Sequence, residues 1–555
     1  MNWNSVHDKL SHVYKDQSEE ALQLLKKLVE RWSLKEWTQS EILSEKNVYL
    51  ITYADSISSP GQAPIATLHK FLKQEVGELI TDVHLLPMFP FSSDDGFSVT
   101  DYRQINPEFG DWKDIEEFSK DYRLMYDFVA NHMSKSSLWF QHYLNGDLEY
   151  KNYFIPRDEE FDITKVVRPR TSPLFHTYRE GEHTKTAWTT FSEDQVDINF
   201  KHIPAFIEMT DILLDYLYKG ASSIRLDAIG FMWKESGTTC IHLPQTHMLI
   251  SIWRELVDQF KPGAQIITET NVPHEENISY FGNGQNEANQ VYQFSLPPLV
   301  LHSYTTHDAT KLSNWAKEIN NVSNTATYFN FLASHDGIGM RPTEGILTES
   351  EREKLVNKVE ENGGRVSYKS NPDGTETVYE LNINYIDALA NGEEIKDLSL
   401  HAKKALSAHS ILLSFIGVPA IYYHSLFGSQ NDQLGVKTSG INRRINREKL
   451  KSDQLSHELK NSKRRNIIFS GMKAMISKRK ELSAFSPYAS QTVVELDNRV
   501  FAIRRINEET GQSILAVANV SCDTITLDVK GRDLFNNKNI ETLYLSAYDY
   551  TWIEE

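Results

Sequence analysis

The stretch SIRLDAIGF, residues 223–231, places branched apolar residues around an arginine and an aspartate. Short runs of this kind are typical of strands buried in a parallel sheet. Amphipathic helical patterns follow most of them, for example over residues 203–217 and 246–260. Eight buried strands that alternate with helices predict the α/β class and a (β/α)8 TIM barrel. The other seven runs are VYLITYAD (48–55), VHLLP (83–87), LMYDFVANH (124–132), QIITET (265–270), VYQF (291–294), YFNFLASHD (328–336) and VPAIYY (418–423).

Other segments depart from the plain barrel repeat. The connections after the third and the seventh strand are much longer than ordinary βα loops, so we predict inserted subdomains over residues 133–200 and 341–400, rising over the barrel mouth where active sites form. An amphipathic pattern over residues 19–32 predicts a helix, and with it an N-terminal helical extension, residues 1–46, docked on the catalytic barrel, residues 47–485. Alternating strands with hairpin turns predict a C-terminal antiparallel β domain, residues 486–555.

The composition narrows the classes of protein. The 555 residues carry a formal net charge of −18, which argues against nucleic acid or an anionic membrane as the main partner. The 40% of hydrophobic residues suffice for a large core and exclude a mainly disordered chain. No stretch has the pattern of a secretory signal or a membrane span, so we expect a cytoplasmic protein. Cys240 and Cys522 lie far apart in sequence, and we expect both thiols to be free and buried.

Three carboxylates end three different strand-like runs: Asp227, Glu269 and Asp336. One such acid could be a structural ion-pair partner. Three at the strand ends that face the mouth point to function, because burying them without a purpose would cost several kcal/mol each.

The three acids fit glycoside chemistry by double displacement, which needs a nucleophilic carboxylate and a carboxyl acid/base about 5 to 5.5 Å apart. Arg225 shares a strand face with Asp227 and can keep that carboxylate ionised, which makes Asp227 the nucleophile and Glu269 the proton donor. The side chains expected to hold sugar hydroxyls are His132, His335 and Asp336.

The segments YDFVANH, IRLDAIGF, ITET and ASHDGIG resemble, in order, the four sequence regions of the family 13 glycoside hydrolases, the α-amylase superfamily. The resemblance covers nearly the whole chain. It implies a retaining mechanism on α-glucosides, with Asp227 as nucleophile, Glu269 as acid/base and Asp336 as transition-state stabiliser.

Two further segments, residues 84–102 and 188–200, are similar to the sucrose phosphorylase branch of that family. The segment NRRINR, residues 442–447, resembles one whose arginine contacts phosphate there, which implies that role for Arg443. The resemblance further implies contacts with the glucosyl unit from Asp94, Phe97, Phe191 and Gln195.

The chain also departs from the sucrose enzymes. Tyr379 and Glu380 begin a segment YELN where those enzymes read Tyr-Gln-Val-Asn, and we expect both residues to contact substrate. The segments GMRPTEGIL (339–347) and GGRVSYKSNPDGTE (363–376) look instead like a sister group, the glucosylglycerate phosphorylases. That resemblance implies transfer of glucose from glucosylglycerate to phosphate.

Both co-substrates of that reaction are anions, so an acidic protein needs a local cationic cluster. We predict that Arg443 binds phosphate, and that the carboxylate of glycerate is bound by Arg341, Arg365 or Lys369. Arg444 and Arg447 are expected to form surface ion pairs with nearby acids. No cofactor and no metal are expected, and inorganic phosphate is a co-substrate. The partners are small molecules, with no nucleic acid and no membrane, and a homodimer is left open.

Other functions fit the same residues. A phosphorylase of sucrose, sucrose 6'-phosphate or glucosylglycerol would share the mechanism and differ in the acceptor. A plain α-glucosidase would use water in place of phosphate. A non-catalytic partner of a membrane transporter would keep the barrel but lack the three carboxylates, which are present here.

Overall fold

Eight short parallel strands close into a barrel in the computed structural model, which describes residues 1–181, 183–371 and 373–555. We label them β1 to β8: Tyr49–Thr52, Asp82–Leu85, Arg123–Phe128, Ala221–Leu226, Gln265–Thr268, Gln290–Tyr292, Thr327–Asn330 and Val418–Tyr422. Each strand pairs in parallel with the next, and β8 pairs with β1 so that Tyr49 lies opposite Ala420. The predicted TIM barrel is confirmed, and each of the eight runs contributes one strand.

The strands are almost entirely buried because helices cover the outside of the barrel. The covering helices are Pro64–Glu75, Trp112–Ser119, Ile203–Tyr218, Pro244–Phe260, His274–Ile278, Leu296–Thr306, Thr310–Ala316, Leu398–Ser414 and Lys463–Arg479. Several of them begin with proline in the first turn, where a backbone N–H has no helical partner to lose.

Two insertions rise from the carboxyl ends of the strands. After β3, His132–Met133 pairs with Val196–Asp197, and the helix Leu138–Asn145 packs beside the hairpin Phe175–Glu180 and His183–Trp188. After β7, a three-stranded sheet has Glu376–Asn382 in the middle, Ile338–Gly339 on one side and Arg365–Ser370 on the other. The helix Glu349–Glu361 packs against that sheet, and Tyr385–Leu389 leads back to the barrel.

The N-terminal extension consists of two helices, Trp3–Tyr14 and Ser18–Ser33, joined by a single turn. The first packs on the barrel helix Pro244–Phe260 and the second on Ile203–Tyr218. The indole of Trp32 donates a 2.7 Å hydrogen bond to Asp211 on the latter helix. Only the second helix was predicted, although Val6, Leu10 and Val13 have the same apolar spacing.

The C-terminal region is antiparallel β structure, as predicted. Its six-stranded sheet runs, in spatial order, Ser490–Val493, Val500–Asn507, Gln512–Asn519, Tyr550–Glu554, Gly531–Asp533 and Lys538–Ile540. A separate pair is formed by Ile525–Leu527 and Leu543–Leu545. Between β8 and the last barrel helix lie the helices Tyr423–Leu426, Gln433–Ser439 and Ser452–Asn461.

Both cysteines are free, but only Cys240 is buried. The expectation for Cys522 was wrong because this residue lies exposed in a bend after a strand of the C-terminal sheet. Within the part of the chain that is described, no helix is long and apolar enough to cross a membrane.

Candidate active site

The barrel strands end at a cavity of about 780 Å³ that is open to solvent. The structure brings nearly all the predicted site residues together here. Those that line the cavity are Asp227, Glu269, Asp336, Asp94, Phe97, His132, Phe191, Gln195, His335, Tyr379, Glu380, Arg443 and Arg341. The cavity combines buried acids, aromatic rings and arginines, which is the composition expected of a binding site for a polar ligand.

Arg225 is buried beneath this cavity at the end of β4 and organises its carboxylates. It donates to Asp227 over 2.7 Å and to Asp127 over 2.5 Å, and its Nε donates to the hydroxyl of Tyr292. A second guanidinium nitrogen lies 3.7 Å from Glu269. The strand therefore presents Asp227 in a fixed orientation, as its two-residue spacing from Arg225 predicted.

Asp227 and Glu269 are buried together and share the charge of Arg225. Burial raises the pKa of both carboxyl groups, and the nearby charge of Glu269 raises that of Asp227 further. The two carboxyl groups therefore tend to hold one proton between them. Arg225 lies a full ångström closer to Asp227 than to Glu269, whereas Glu269 accepts a 2.9 Å hydrogen bond from the backbone N–H of Ala228.

Asp336 has the opposite electrostatics. Burial alone would raise the pKa of Asp336, but Arg443, His335 and Arg447 together hold it well below its usual range. The Nη1 of Arg443 lies 2.7 Å from Asp336 Oδ1, and Arg447 lies 3.8 Å away. A permanently ionised carboxylate of this kind can accept two hydrogen bonds from a sugar ring.

Aromatic and imidazole rings line the same cavity. Phe97 stacks on His335 with ring centres 4.8 Å apart, and Phe191 packs on His132 at 5.2 Å. Burial lowers the pKa of His132 to about 4 and holds that of His335 well below its ordinary value. Both imidazoles are therefore neutral near pH 7, and each has one N–H. The N–H of His132 already donates to the backbone carbonyl of Phe97 over 3.1 Å, so of the two rings only His335 can donate to a ligand hydroxyl.

The loop after β2 carries Asp94 and Asp95 in the left-handed backbone region, with φ of 53° and 47°. Residues other than glycine are rarely held there unless their surroundings fix them. Gln195 donates to Asp94 over 3.1 Å, and Arg447 donates to Asp95 over 2.9 Å and to the carbonyl of His335 over 2.8 Å. These bonds tie the inserted subdomain, the β2 loop and the β7 loop together.

Arg447 is therefore not the surface ion-pair residue that we expected. Its side chain is only 1% exposed, because the segment after β8 folds inward beneath the site. Arg444 is more exposed, at 25%, and lies 3.6 Å from Asp95. The sequence offered no signal that separates these two arginines.

Arg443 is paired with two carboxylates. Its Nε and Nη2 form a two-pronged pair with Glu380 at 2.7 and 2.9 Å, and its Nη1 pairs with Asp336. These contacts use three of its five N–H groups, and the side chain lines the cavity. Arg443 therefore holds Asp336 in place, and the phosphate contact predicted for Arg443 stays a prediction.

Two other arginines line the cavity, and neither forms an ion pair with a carboxylate of the described residues. Arg170, in the inserted subdomain, packs its guanidinium over the rings of Tyr379 and Phe191, 4.9 and 5.3 Å from their centres, and donates to the carbonyl of Pro169. Arg341 follows β7, and its buried Nε has no hydrogen-bond partner among the residues that the structure describes. The pKa of Glu276 is lowered chiefly by His242 and less by Arg341. Arg170 was not predicted, because no feature of the surrounding sequence distinguishes it as a site residue.

The structure does not bring Arg365 and Lys369 to the cavity, so these two candidates for the acceptor site were wrong. Their strand is an outer strand of the three-stranded sheet, and the strand Glu376–Asn382 separates it from Ile338–Gly339. Arg365 is exposed and donates to the carbonyl of Gly364, while Lys369 lines a separate groove and contacts Asn371.

Lys234 supplies a cation that holds the base of the inserted subdomain. Its ammonium group lies 2.6 Å from both Asp197 Oδ2 and the carbonyl oxygen of Phe231, and 3.1 Å from Asn131 Oδ1. Asn131 therefore stabilises the rim of the barrel by accepting a hydrogen bond from Lys234.

Residues 1–181, 183–371 and 373–555 contain no group of three or more His, Cys, Asp or Glu that could hold a metal ion.

Comparison with known proteins agrees with this site. Residues 73–358 match the family model described as alpha amylase, catalytic domain. The chain is 45% identical over 480 residues to the glucosylglycerate phosphorylase of Spirochaeta thermophila, covering 86% of this chain and 81% of that protein. It is 42% identical over 540 residues to the glucosylglycerate phosphorylase of Escherichia coli, covering 96% and 95%.

Among solved structures, the sucrose 6F-phosphate phosphorylase of Thermoanaerobacter thermosaccharolyticum has the same fold. Its TM-score is 0.75 at 23% identity, and the match covers 90% of this chain and 98% of that one. The chain therefore belongs to the α-amylase family, glycoside hydrolase family 13. Within that family it groups with the glycoside phosphorylases, which confirms the branch predicted from the sequence.

Proposed function

We propose that this enzyme is a retaining phosphorylase that converts 2-O-α-D-glucosyl-D-glycerate and inorganic phosphate into α-D-glucose 1-phosphate and D-glycerate. One observation carries the proposal: a single cavity contains two buried carboxylates and a third, partly exposed one suited to glucosyl transfer, together with two arginines, Arg170 and Arg341, that form no ion pair with a carboxylate of the described residues. The names of the similar proteins support the same substrate. The cavity thus offers positive charge to an anionic acceptor beside the groups that handle the sugar.

In the first step, the carboxylate of Asp227 attacks the anomeric carbon of the glucosyl unit. The glycosidic C–O bond breaks, and the carboxyl group of Glu269 gives its proton to the departing glycerate oxygen. Asp336 binds two ring hydroxyls and holds them more strongly as the ring flattens. The product of this step is a glucosyl ester of Asp227, with Glu269 ionised.

In the second step, a phosphate oxygen attacks the anomeric carbon from the side that glycerate left. The ester bond to Asp227 breaks, and Glu269 takes the proton of the attacking phosphate hydroxyl. Two displacements restore the α configuration. The two steps together return Asp227 to the free carboxylate and Glu269 to the protonated carboxyl group, so the proton balance closes without a cofactor.

The leaving glycerate and the entering phosphate occupy the same side of the sugar in this mechanism. Both are anions, so one cationic subsite can serve them in turn. We assign this subsite to Arg170 and Arg341, since a guanidinium fork matches both carboxylate and phosphate geometry. Arg443 then positions Asp336 through its pair with Glu380. A cytoplasmic location would suit the reaction, because the sugar phosphate can be used there.

The reverse reaction tests the proposal. α-Glucose 1-phosphate is offered with D-glycerate, fructose, fructose 6-phosphate, glycerol or no acceptor, and released phosphate is followed. Release that depends on glycerate is the expected result. Preference for another acceptor would keep the mechanism and correct the substrate, whereas equal release without any acceptor would make the enzyme an α-glucosidase.

A further inference from the structure

The N-terminal helix pair reaches the loops of the active site. Tyr14, at the end of the first helix, is buried, and its hydroxyl donates a 2.9 Å hydrogen bond to the backbone carbonyl of Phe200. Its ring packs edge-on against Trp233, with centres 5.8 Å apart. Phe200 lies at the end of the inserted subdomain and Trp233 in the loop after β4, so one side chain contacts two separate segments.

Both segments lead directly to the cavity. Trp233 lies two residues beyond Phe231, which lines the cavity and packs edge-on against Phe191 at 5.5 Å. Phe191 in turn carries the guanidinium of Arg170 over its ring. A shift of Trp233 would therefore move Phe231 and with it the aromatic support of the anion subsite.

The contact is also shielded and braced. Trp233 is 4% exposed, and its indole donates to Glu235 over 3.3 Å. Lys201, next to Phe200, pairs with Glu235 at 3.2 Å and lies over the Trp233 ring. The helix pair thus closes a rigid junction between the subdomain and the β4 loop. Elements held by several buried contacts of this kind open rarely.

We propose that Tyr14 is a positioning residue, and that the N-terminal helix pair holds the β4 loop and the inserted subdomain in the arrangement that binds the anionic acceptor and keeps water out. This inference rests on the proposed phosphorylase function. Loosening the junction lets water compete for the glucosyl ester of Asp227, so the share of hydrolysis rises. A purely stabilising role would lower the melting temperature and leave that share unchanged.

The test compares glucose with glucose 1-phosphate formed from glucosylglycerate at a fixed phosphate concentration. The variants are Tyr14→Ala, Tyr14→Phe and a control, Leu25→Ala, which removes a fully buried side chain from the second N-terminal helix. Tyr14→Ala is expected to raise the hydrolysed share at least threefold and to raise the KM for phosphate. Tyr14→Phe, which keeps the ring and the fold, should give a smaller rise, and Leu25→Ala none.

An unchanged share in both Tyr14 variants would overturn the inference, and so would an equal rise in Leu25→Ala. If Tyr14→Ala does not fold, the test rests on Tyr14→Phe. This variant loses only the hydrogen bond to Phe200, and that loss must then raise the hydrolysed share of the product. Failure of the proposed function looks different, because the wild-type enzyme would form no glucose 1-phosphate. In that case the same variants are compared by their KM for hydrolysis of 4-nitrophenyl α-glucoside, which should rise only in the Tyr14 variants.

Discussion

Replacing Arg443 by alanine should impair phosphorolysis and hydrolysis to the same extent. Arg443 is bound to Glu380 through two hydrogen bonds and to Asp336 at 2.7 Å. Its loss leaves the buried Glu380 and the partly exposed Asp336 without their shared cation, and Asp336 keeps only Arg447, 3.8 Å away. Removing one partner of a buried ion pair typically destabilises a protein by about 3 to 5 kcal/mol. We therefore expect a lower melting temperature together with a misplaced Asp336.

The catalytic loss follows from the same contacts. A hydrogen bond to a charged group contributes about 1.5 to 3 kcal/mol, and each 1.4 kcal/mol is tenfold in rate. Weakened hydrogen bonding between Asp336 and the sugar should lower kcat/KM about 10- to 100-fold. Because that contact is made to the glucosyl unit, the penalty applies whether the acceptor is phosphate or water.

The assay measures total consumption of glucosylglycerate and the ratio of glucose 1-phosphate to glucose among the products. Arg443→Ala should reduce consumption and leave the ratio within about threefold of the wild-type value. Arg444→Ala, which removes a more exposed neighbour 3.6 Å from Asp95, is the matched control and should change neither. If Arg443→Ala lowered the ratio tenfold while consumption stayed normal, Arg443 would be the phosphate ligand after all.

Three more predictions follow from the site and its surroundings. Arg341→Ala should raise the KM for glycerate about tenfold or more in the synthetic direction, whereas Arg365→Ala, outside the cavity, should leave it unchanged; equal effects would exclude Arg341 as the acceptor ligand. Glu269→Gln should lower kcat/KM for glucosylglycerate by about 10²- to 10⁴-fold. The kcat/KM for α-glucosyl fluoride should stay near the wild-type value, because its leaving group needs no proton. Equal losses for the two substrates would contradict the role of Glu269 as acid. Burial lowers the pKa of His409 to about 4, below its ordinary value, so its stabilising effect is lost as the pH falls from about 6.5 toward 4. Wild-type enzyme should therefore lose about 2 kcal/mol more unfolding free energy than His409→Gln between pH 7 and pH 5, measured by urea unfolding, and parallel losses would refute this.

The catalytic carboxylates could be predicted because their positions depend on local pattern. A buried strand has a period of two, and the ends of parallel barrel strands meet at one face, so Arg225, Asp227 and Glu269 had to converge once the barrel was recognised. A histidine inside an apolar strand is typically a hydrogen-bonded core residue, and His84 in β2 is buried and bonds to Asp127 at 2.6 Å. These statements need only the strand assignment and its direction.

The acceptor side could not be predicted in this way because it depends on how the insertion after β7 pairs its strands. Arg341, Arg365 and Lys369 lie within thirty residues of one another and look alike in sequence. The order of the three-stranded sheet keeps Arg365 and Lys369 away from the cavity, and no local sequence feature predicts that order. Arg170 comes from a different insertion altogether, and only the folded chain shows it beside Tyr379.

The pairing of the arginines around the cavity indicates that the acceptor is an anion. Arg225, Arg443 and Arg447 each fix a carboxylate in or near the cavity. Arg170 and Arg341 form no ion pair with a carboxylate of the described residues, although Glu276 lies close enough to Arg341 for its pKa to be lowered. A neutral acceptor would add no counter-charge to these two arginines. An anionic acceptor supplies that charge when it binds. The enzyme should therefore discriminate against neutral acceptors such as fructose and glycerol, and replacing Arg341 by a neutral residue should narrow that preference.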